Sequence, residues 1–310
     1  MQVSVPSFAK LNLDLRVLDK RPDGYHELRT VFQTISLKDN LVIEFNFAKR
    51  TQINITSSIE IADNLVVRAA ERVLDTLKIR AEVRFVLRKN IPLGAGLGGG
   101  SSNAAAVLLA LPAIAGKRLP YREEVRLAET LGSDVPFFLH GGTAAGVGRG
   151  TELYPLPDQP SRPIVVVATG IHVSTAEAYS ALKRNVTDAL TLESKFPILR
   201  EFQTIAWTLD GSSLEHLPLK NDFESVVFAR HPELAAAARK LWRLGAKPAL
   251  MTGSGSAVFG VFGAASEAKA AAARFAPGTA FPVRFVSRRQ YRGAWRRALG
   301  PAASASLFAE

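Results

Sequence analysis

The run Ile91-Pro92-Leu93-Gly94-Ala95-Gly96-Leu97-Gly98-Gly99-Gly100-Ser101-Ser102-Asn103 is the segment best suited to chemistry. Five of the seven residues Gly94–Gly100 are glycine, each giving up about 0.5–1 kcal/mol relative to alanine in regular structure. Backbone free of side chains lets amide N–H groups converge on an oxyanion. The alanine-rich apolar stretch that follows predicts a helix, whose unpaired first N–H groups and positive dipole end favour the same ligand. The chemistry is therefore phosphate binding by Pro92–Ser102, with the Ser101 and Ser102 hydroxyls available to a phosphate or its metal. No Gly-Lys-Ser/Thr closes the loop, so it is not a P-loop. Gly94, Gly96 and Gly99 satisfy G-x-G-x-x-G, but a dinucleotide site wants an acidic residue about 20 positions on, at the end of a second strand. The acidic residues there, Glu123 and Glu124, instead open a helix after Pro120.

Two further segments carry reactive groups: Ala9-Lys10-Leu11-Asn12-Leu13 and Thr252-Gly253-Ser254-Gly255-Ser256-Ala257. By residue type alone, Lys10 on an alternating strand face also reads as a solvated lysine. Asp134, between Gly132 and Pro136, reads equally as a helix cap. The chain has no cysteine, which excludes disulfides, thiolate metal sites and thiol nucleophiles. Its five histidines, at 26, 140, 172, 216 and 231, lack zinc-ligand spacing.

The elements that must hold these groups follow from periodicity. Leu11, Leu13, Leu15 and Val17 alternate with Lys10, Asn12, Asp14 and Arg16, predicting a strand over Lys10–Val17. Further strands are expected at Thr30–Ser36, Asn40–Phe47, Gln52–Thr56, Ala81–Leu87 and Thr143–Val147. Helices are expected at Asn64–Leu77, Ser102–Leu111 and Arg122–Leu131, with Pro112 ending or kinking the second early. Tyr154–Pro163, with four prolines in ten residues, reads as a linker between halves. Beyond it come a buried strand at Ile164–Ala168 and a capping box, Ser174-Thr175-Ala176-Glu177, opening a helix with Tyr179. Helices near Phe202–Leu209, Phe223–Ala229, Pro232–Leu244 and Ala265–Phe275 alternate with strands at Pro248–Thr252, Ala257–Phe262 and Phe281–Val286. The plan is α+β with mostly antiparallel sheets, ending in an alanine-rich tail, Pro301–Glu310, expected to fray.

The early glycine-rich loop combined with the late Gly-Ser loop resembles the galactokinase, homoserine, mevalonate and phosphomevalonate (GHMP) kinase superfamily. The match narrows at Ser7–Leu13, Arg21-Pro22-Asp23-Gly24-Tyr25-His26, Ile91–Asn103, Leu131–Phe138 and Asn221-Asp222-Phe223-Glu224. Together these resemble a branch whose acceptor is an alcohol carrying a cytidyl diphosphate. The resemblance implies a two-domain GHMP-kinase-like architecture with the active site in the inter-domain cleft. Residues 1–157 would bind ATP and residues 158–310 the substrate. It implies Lys10 and Asp134 as catalytic residues, Asp134 taking the proton of the attacking hydroxyl beside the Lys10 ammonium. Asn12, Tyr25, His26, Tyr179, Gly253, Ser254 and Gly255 are implied for the small-molecule cytidyl-diphosphate substrate, with Tyr25 and Tyr179 as stacking faces. ATP and Mg2+ are the implied cofactors, Ser102 being the candidate metal ligand. Mevalonate, homoserine or sugar acceptors are the alternatives within the superfamily, and the Arg21–His26 segment argues against them.

Composition sets the outer bounds. Hydrophobic content of 47% with 22% charged residues belongs to a globular chain. No apolar run approaches the roughly 18–20 residues that cross a bilayer, and no signal peptide is visible, so a cytoplasmic, membrane-free protein is expected. A monomer or weak homodimer is expected. The +11 formal charge suits an acidic partner and raises RNA binding as a rival reading. The few aromatics do not interleave with the basic residues as in stacking platforms, so no nucleic-acid partner is expected. Arg284, Arg288, Arg289, Arg292, Arg296 and Arg297 read as a solvated basic surface.

Overall fold

The computed structural model describes residues 1–182, 191–209, 214–303 and 308. The chain opens with β1 (Gln2–Lys20) and β2 (His26–Phe47), a long antiparallel hairpin. Its turn closes with the Arg21 N–H donating to Tyr25 O, and with Gly24 at φ +86°, a conformation that glycine adopts without strain. β3 (Gln52–Ser57), α1 (Leu65–Leu77) and β4 (Ala81–Arg88) follow, then α2 (Gly99–Ile114), α3 (Tyr121–Leu131), β5 (Thr143–Gly148) and β6 (Glu152–Pro155). These strands form one sheet in the order β3-β4-β2-β5-β6, with β1 also on β2, and only β3 and β4 run parallel.

β2 is a single 22-residue strand where the sequence suggests two. Lys38-Asp39-Asn40 has the residue types of a turn, in which Asp39 would bond its own nearby backbone. Asp39 is instead fully buried, and its carboxylate accepts the N–H groups of Asn90 and Ile91, 2.7 and 2.9 Å away. With that group engaged elsewhere, the strand runs on past a register shift between Phe8 and Ala9.

α2 is apolar on every side and buried from Ser102 through Pro112, which makes it the central helix of the first half. Pro112 does not stop it, and the helix continues to Ile114. The proline falls in the last turn, where its missing N–H removes one intrahelical bond and packing on all faces holds the rest.

The second sheet, β10-β7-β9-β8, is antiparallel throughout: β7 (Pro163–Val167), β8 (Ala249–Met251), β9 (Val258–Val261) and β10 (Ala280–Arg284). Around it lie α4 (Thr175–Ala181), α5 (Leu192–Thr208), α6 (Glu224–Arg230), α7 (Pro232–Arg243) and α8 (Ala265–Ala272). α5 starts well before the expected Phe202, because Thr191 caps it by accepting the Ser194 N–H. A core of Leu11, Leu13 and Ile35 from the first sheet with Ile164, Phe259 and Phe285 from the second region joins the halves.

The arginine-rich stretch forms α9 (Arg288–Leu299), where its charge alone suggests only a solvated surface. Ser287 and Gln290 form a capping box, and Tyr291, Trp295 and Leu299 make a buried stripe. The stripe packs into the first half's core, with the Tyr291 hydroxyl donating to Phe138 O. Of the expected frayed tail, residues 300–303 form a 3-10 turn, and residues 304–307 and 309–310 lie outside the described residues.

Candidate active site

The alternation on β1 does not divide a dry face from a wet one. Lys10, Asn12, Asp14 and Arg16 share the face expected to be solvated, and all four are buried. The second half covers that face: Leu15 N–H donates to Lys220 O, and Asp222 N–H to Leu15 O, both 2.9 Å. Polar groups trapped in this way need partners, and they have them. Both Asp14 oxygens lie 2.9 Å from Arg16 Nε, and one accepts the Lys220 N–H at 3.0 Å. Arg16 extends to Glu201 and to Pro218 O, each at 2.6 Å. Burial nevertheless pushes the Asp14 carboxyl up to about 6, against the Arg16 charge.

Within this row Lys10, with Asn12 beside it, borders an open space. Lys10 is only 3% exposed. Its Nζ lies 2.5 Å from Asn12 Oδ1 and 3.4 Å from Asp134 Oδ2, and it sits 5.6 Å above the Phe32 ring. The space is a cleft of about 790 Å³ between the β1–β2 hairpin, the loop after β4, the Ser133-Asp134 segment and the late Gly-Ser loop.

The glycine loop is held between two partners. Lys10 N–H donates to Leu97 O at 3.0 Å, and Ala257 N–H donates to Ala95 O at 3.1 Å. Gly96, at φ +74°, comes so near the late loop that a Cβ there would lie 2.4 Å from Thr252 O. The α2 helix begins at Gly99 with Gly98 as its cap and no side-chain acceptor for its first N–H groups, leaving them for an anion. Below the loop, Asp39 accepts from Lys89, from Asn103 Nδ2 and from two backbone amides, tying the end of β4 to α2.

The structure brings Lys10, Asn12, Tyr25, His26, Gly96, Gly98, Ser101, Asp134, Tyr179, Gly253 and Ser254 to this one cleft. Pro92, Leu93, Gly94, Ala95, Leu97 and Gly255 form the loops behind or beside it, Gly99, Gly100 and Ser102 open α2, and none of these lines it. Ser102 Oγ is buried without a hydrogen-bond partner among the described residues, so Ser101 is the loop serine that faces the cleft. Tyr25 is 50% exposed, with the Arg149 guanidinium 4.4 Å from its ring centre. Tyr179 stacks on His26 at 4.7 Å and 24°, and meets Phe223 edge-on at 4.8 Å. Burial, helped by the Asp134 charge, pushes the Tyr179 phenol up, which keeps it protonated.

Sequence reasoning missed Thr30, Phe32, Arg149 and Thr252 at this site. Thr252 stood in the quoted Gly-Ser segment. Thr30 and Phe32 gave no signal, since threonine and phenylalanine are ordinary strand residues. The family segment Asn221–Glu224 acts as a clamp on the late loop. Asn221 Nδ2 donates to Met251 O at 2.9 Å and Gly253 O at 2.8 Å, and Glu224 Oε1 accepts the Met251 N–H at 2.7 Å.

Burial pushes the Glu224 carboxyl up to about 7. A raised acid pKa means that the folded state holds a proton the unfolded chain has lost, so stability falls as pH rises from about 4.5 to 7. We therefore expect Glu224→Gln, which keeps the acceptor for Met251, to raise the melting temperature at pH 8 and leave it nearly unchanged at pH 4.5. Equal shifts at both pH values would contradict this account.

Residues 64–142 match the GHMP kinases N terminal domain and residues 199–278 the GHMP kinases C terminal domain. The chain is 53% identical over 293 residues to the 4-diphosphocytidyl-2-C-methyl-D-erythritol kinase of Solibacter usitatus, covering 94% of this chain and 92% of that one. It is 39% identical to the enzyme of that name from Syntrophus aciditrophicus, covering 87% and 93%. A crystal structure of 4-(cytidine 5'-diphospho)-2C-methyl-D-erythritol kinase superimposes with a TM-score of 0.74 at 37% identity, over 92% of this chain and 99% of that one. Homoserine kinase from Cytophaga hutchinsonii shares the fold, with a TM-score of 0.71 at 17% identity over 93% and 96%. With these relatives and this cleft, the chain belongs to the 4-diphosphocytidyl-2-C-methyl-D-erythritol kinases, small-molecule kinases of the GHMP superfamily.

Proposed function

We propose that this protein transfers the γ-phosphoryl group of ATP to the 2-hydroxyl of 4-diphosphocytidyl-2-C-methyl-D-erythritol, giving the 2-phosphate and ADP, in non-mevalonate isoprenoid precursor biosynthesis. The observation that supports this most is the sharing of one cleft by three groups: the Lys10–Asp134 pair, the bare glycine loop, and the aromatic side chains of Tyr25, His26 and Tyr179. The nucleotide's phosphates rest on the loop amides and the α2 N-terminus. Asp134 accepts the proton of the attacking hydroxyl, and Lys10 offsets charge on the transferred phosphoryl oxygens. Phosphoryl transfer has a loose transition state, so positioning and charge stabilisation carry the rate more than base strength does.

The residues present fit a nucleotide-borne Mg2+. Among the described residues no cluster of three His, Cys, Asp or Glu could hold an ion alone, whereas the cleft offers a hard oxygen donor in the Ser101 hydroxyl beside the phosphates that would carry the ion. Bound there, the ion neutralises phosphate charge. Among the described residues no helix is long and apolar enough to cross a membrane.

Tyr25, exposed and backed by Arg149, offers a free ring face to the pyrimidine. We expect Tyr25→Ala to raise KM for the cytidyl substrate by about ten-fold while KM for ATP stays near native. Equal rises in both would remove Tyr25 from the acceptor site. The reading as a whole is tested by phosphate transfer from ATP to a panel of the cytidyl substrate, mevalonate, homoserine and galactose. Turnover confined to the first is expected, and preference for another acceptor overturns the reading.

A further inference from the structure

The hydrogen bonds beneath Lys10 form a chain whose direction is decided at both ends. One end is an ammonium, which only donates; the other is the main-chain carbonyl of Asp14, which only accepts. Between them, Lys10 Nζ lies 2.5 Å from Asn12 Oδ1, Asn12 Nδ2 lies 2.8 Å from Thr30 Oγ1, and Thr30 Oγ1 lies 2.7 Å from Asp14 O. A hydroxyl has one hydrogen. Thr30 gives its hydrogen to Asp14 O, so it presents only lone pairs to Asn12. Asn12 must then turn its NH2 toward Thr30 and its oxygen toward Lys10. The reversed amide would set NH2 against the ammonium and oxygen against a lone pair. All of these side chains are buried, where an unmatched polar group is costly. Thr252 joins the chain from the other half: its Oγ1 accepts the Asn12 N–H at 2.9 Å and donates to Asn12 Oδ1 at 3.4 Å.

We propose that Thr30 is a positioning residue for phosphoryl transfer, acting through Asn12 to direct the Lys10 ammonium. An ammonium has three N–H bonds. Asn12 Oδ1 takes one and Asp134 lies in reach of a second, which leaves the third for the phosphoryl oxygen. Without the Thr30 acceptor the Asn12 NH2 loses its buried partner, and the amide is no longer anchored where its oxygen holds the ammonium in this geometry. The inference rests on the kinase reading above and gives a specific role to a residue that reads as ordinary strand.

The test compares Thr30→Val, which keeps the shape and removes the hydroxyl, with Thr30→Ser, which restores it. The assay is steady-state transfer from ATP to the cytidyl substrate. We expect kcat of the valine enzyme to fall about 30-fold, with KM for ATP within about two-fold, and the serine enzyme to keep kcat within about three-fold of native. Because Thr30 acts through Asn12, Thr30→Val in an Asn12→Ala background should cost little more than Asn12→Ala alone. If the valine chain does not fold, Asn12→Asp supplies the test: its carboxylate still accepts from Lys10 but has no hydrogen for Thr30, so kcat falls comparably. Native kcat in Thr30→Val or in Asn12→Asp, or additive losses in the double variant, overturns the inference. Failure of the unmodified chain to phosphorylate the cytidyl substrate would instead overturn the kinase reading, so the two failures are distinguishable.

Discussion

Asp134→Asn should lower kcat by about 10³-fold while ATP still binds with near-native affinity. The carboxylate stands 3.4 Å from Lys10 Nζ and about one-third exposed at the cleft, within reach of a hydroxyl held there. The amide has almost the same shape but takes up no proton in the neutral pH range. In the proposed function nucleotide affinity comes from elsewhere, from the loop amides and the α2 N-terminus, which the substitution does not touch. The loss should therefore appear in kcat and in kcat/KM together, as for an interaction made only in the transition state. Single-turnover rates and an equilibrium titration with ADP separate the two quantities. An Asp134→Asn enzyme that turns over at the native rate would falsify the assignment. One that has lost ADP binding would show that Asp134 organises the loop and does no chemistry of its own.

The largest effect on stability should come from Asp39→Ala, about 3–5 kcal/mol in denaturant unfolding. Asp39 is completely buried, and it accepts from four donors: the Asn90 and Ile91 amides, Asn103 Nδ2 and Lys89 Nζ. Removing it leaves the Lys89 ammonium buried, with Asn103 Oδ1, 3.1 Å away, as its remaining side-chain partner among the described residues. The cost is that of an uncompensated buried charge, which exceeds the worth of the ion pair itself. Asp39→Asn keeps the volume but leaves the same ammonium without a counter-charge, so it should be only slightly milder. Function should suffer with stability, because this cluster joins the end of β4 to the first turn of α2 and so sets the frame of the glycine loop. A loss below about 1 kcal/mol would mean that Lys89 reaches solvent and that the cluster behaves like a surface ion pair.

These two residues mark where the sequence was readable and where it was not. Asp134 was found through a short segment whose neighbours resemble those of known kinases, although by type alone it was equally a helix cap. Asp39 was hidden because Lys-Asp-Asn has the composition of a turn. Nothing local shows that the carboxylate will reach Asn90 and Ile91, some fifty positions away. α9 was missed for a different reason. The Ser287–Gln290 capping box and the Tyr291, Trp295, Leu299 stripe are both local, but the stripe holds only one residue per turn and the arginines between have the composition of a solvated surface.

The reading of the glycine loop at Gly94–Gly100 as a phosphate cradle rests on local properties alone. Glycine's tolerance of positive φ and a following helix start are local properties, and they hold wherever the chain goes. The alternation of β1, the run of apolar residues in α2 and the absence of cysteine were equally settled by residue type and order. Tertiary structure decided what lies opposite each of these. It turned the polar face of β1 inward by laying the second half across it, and so made Lys10, Asn12 and Thr30 a buried, directional hydrogen-bond chain. It stacked Tyr179 on His26 and left Tyr25 open. It also brought Thr252 to Asn12 across 240 residues of sequence. Local pattern fixes which backbone conformations are cheap. Whether a polar group ends in water or beside a partner depends on burial, and burial is set only when distant segments pack.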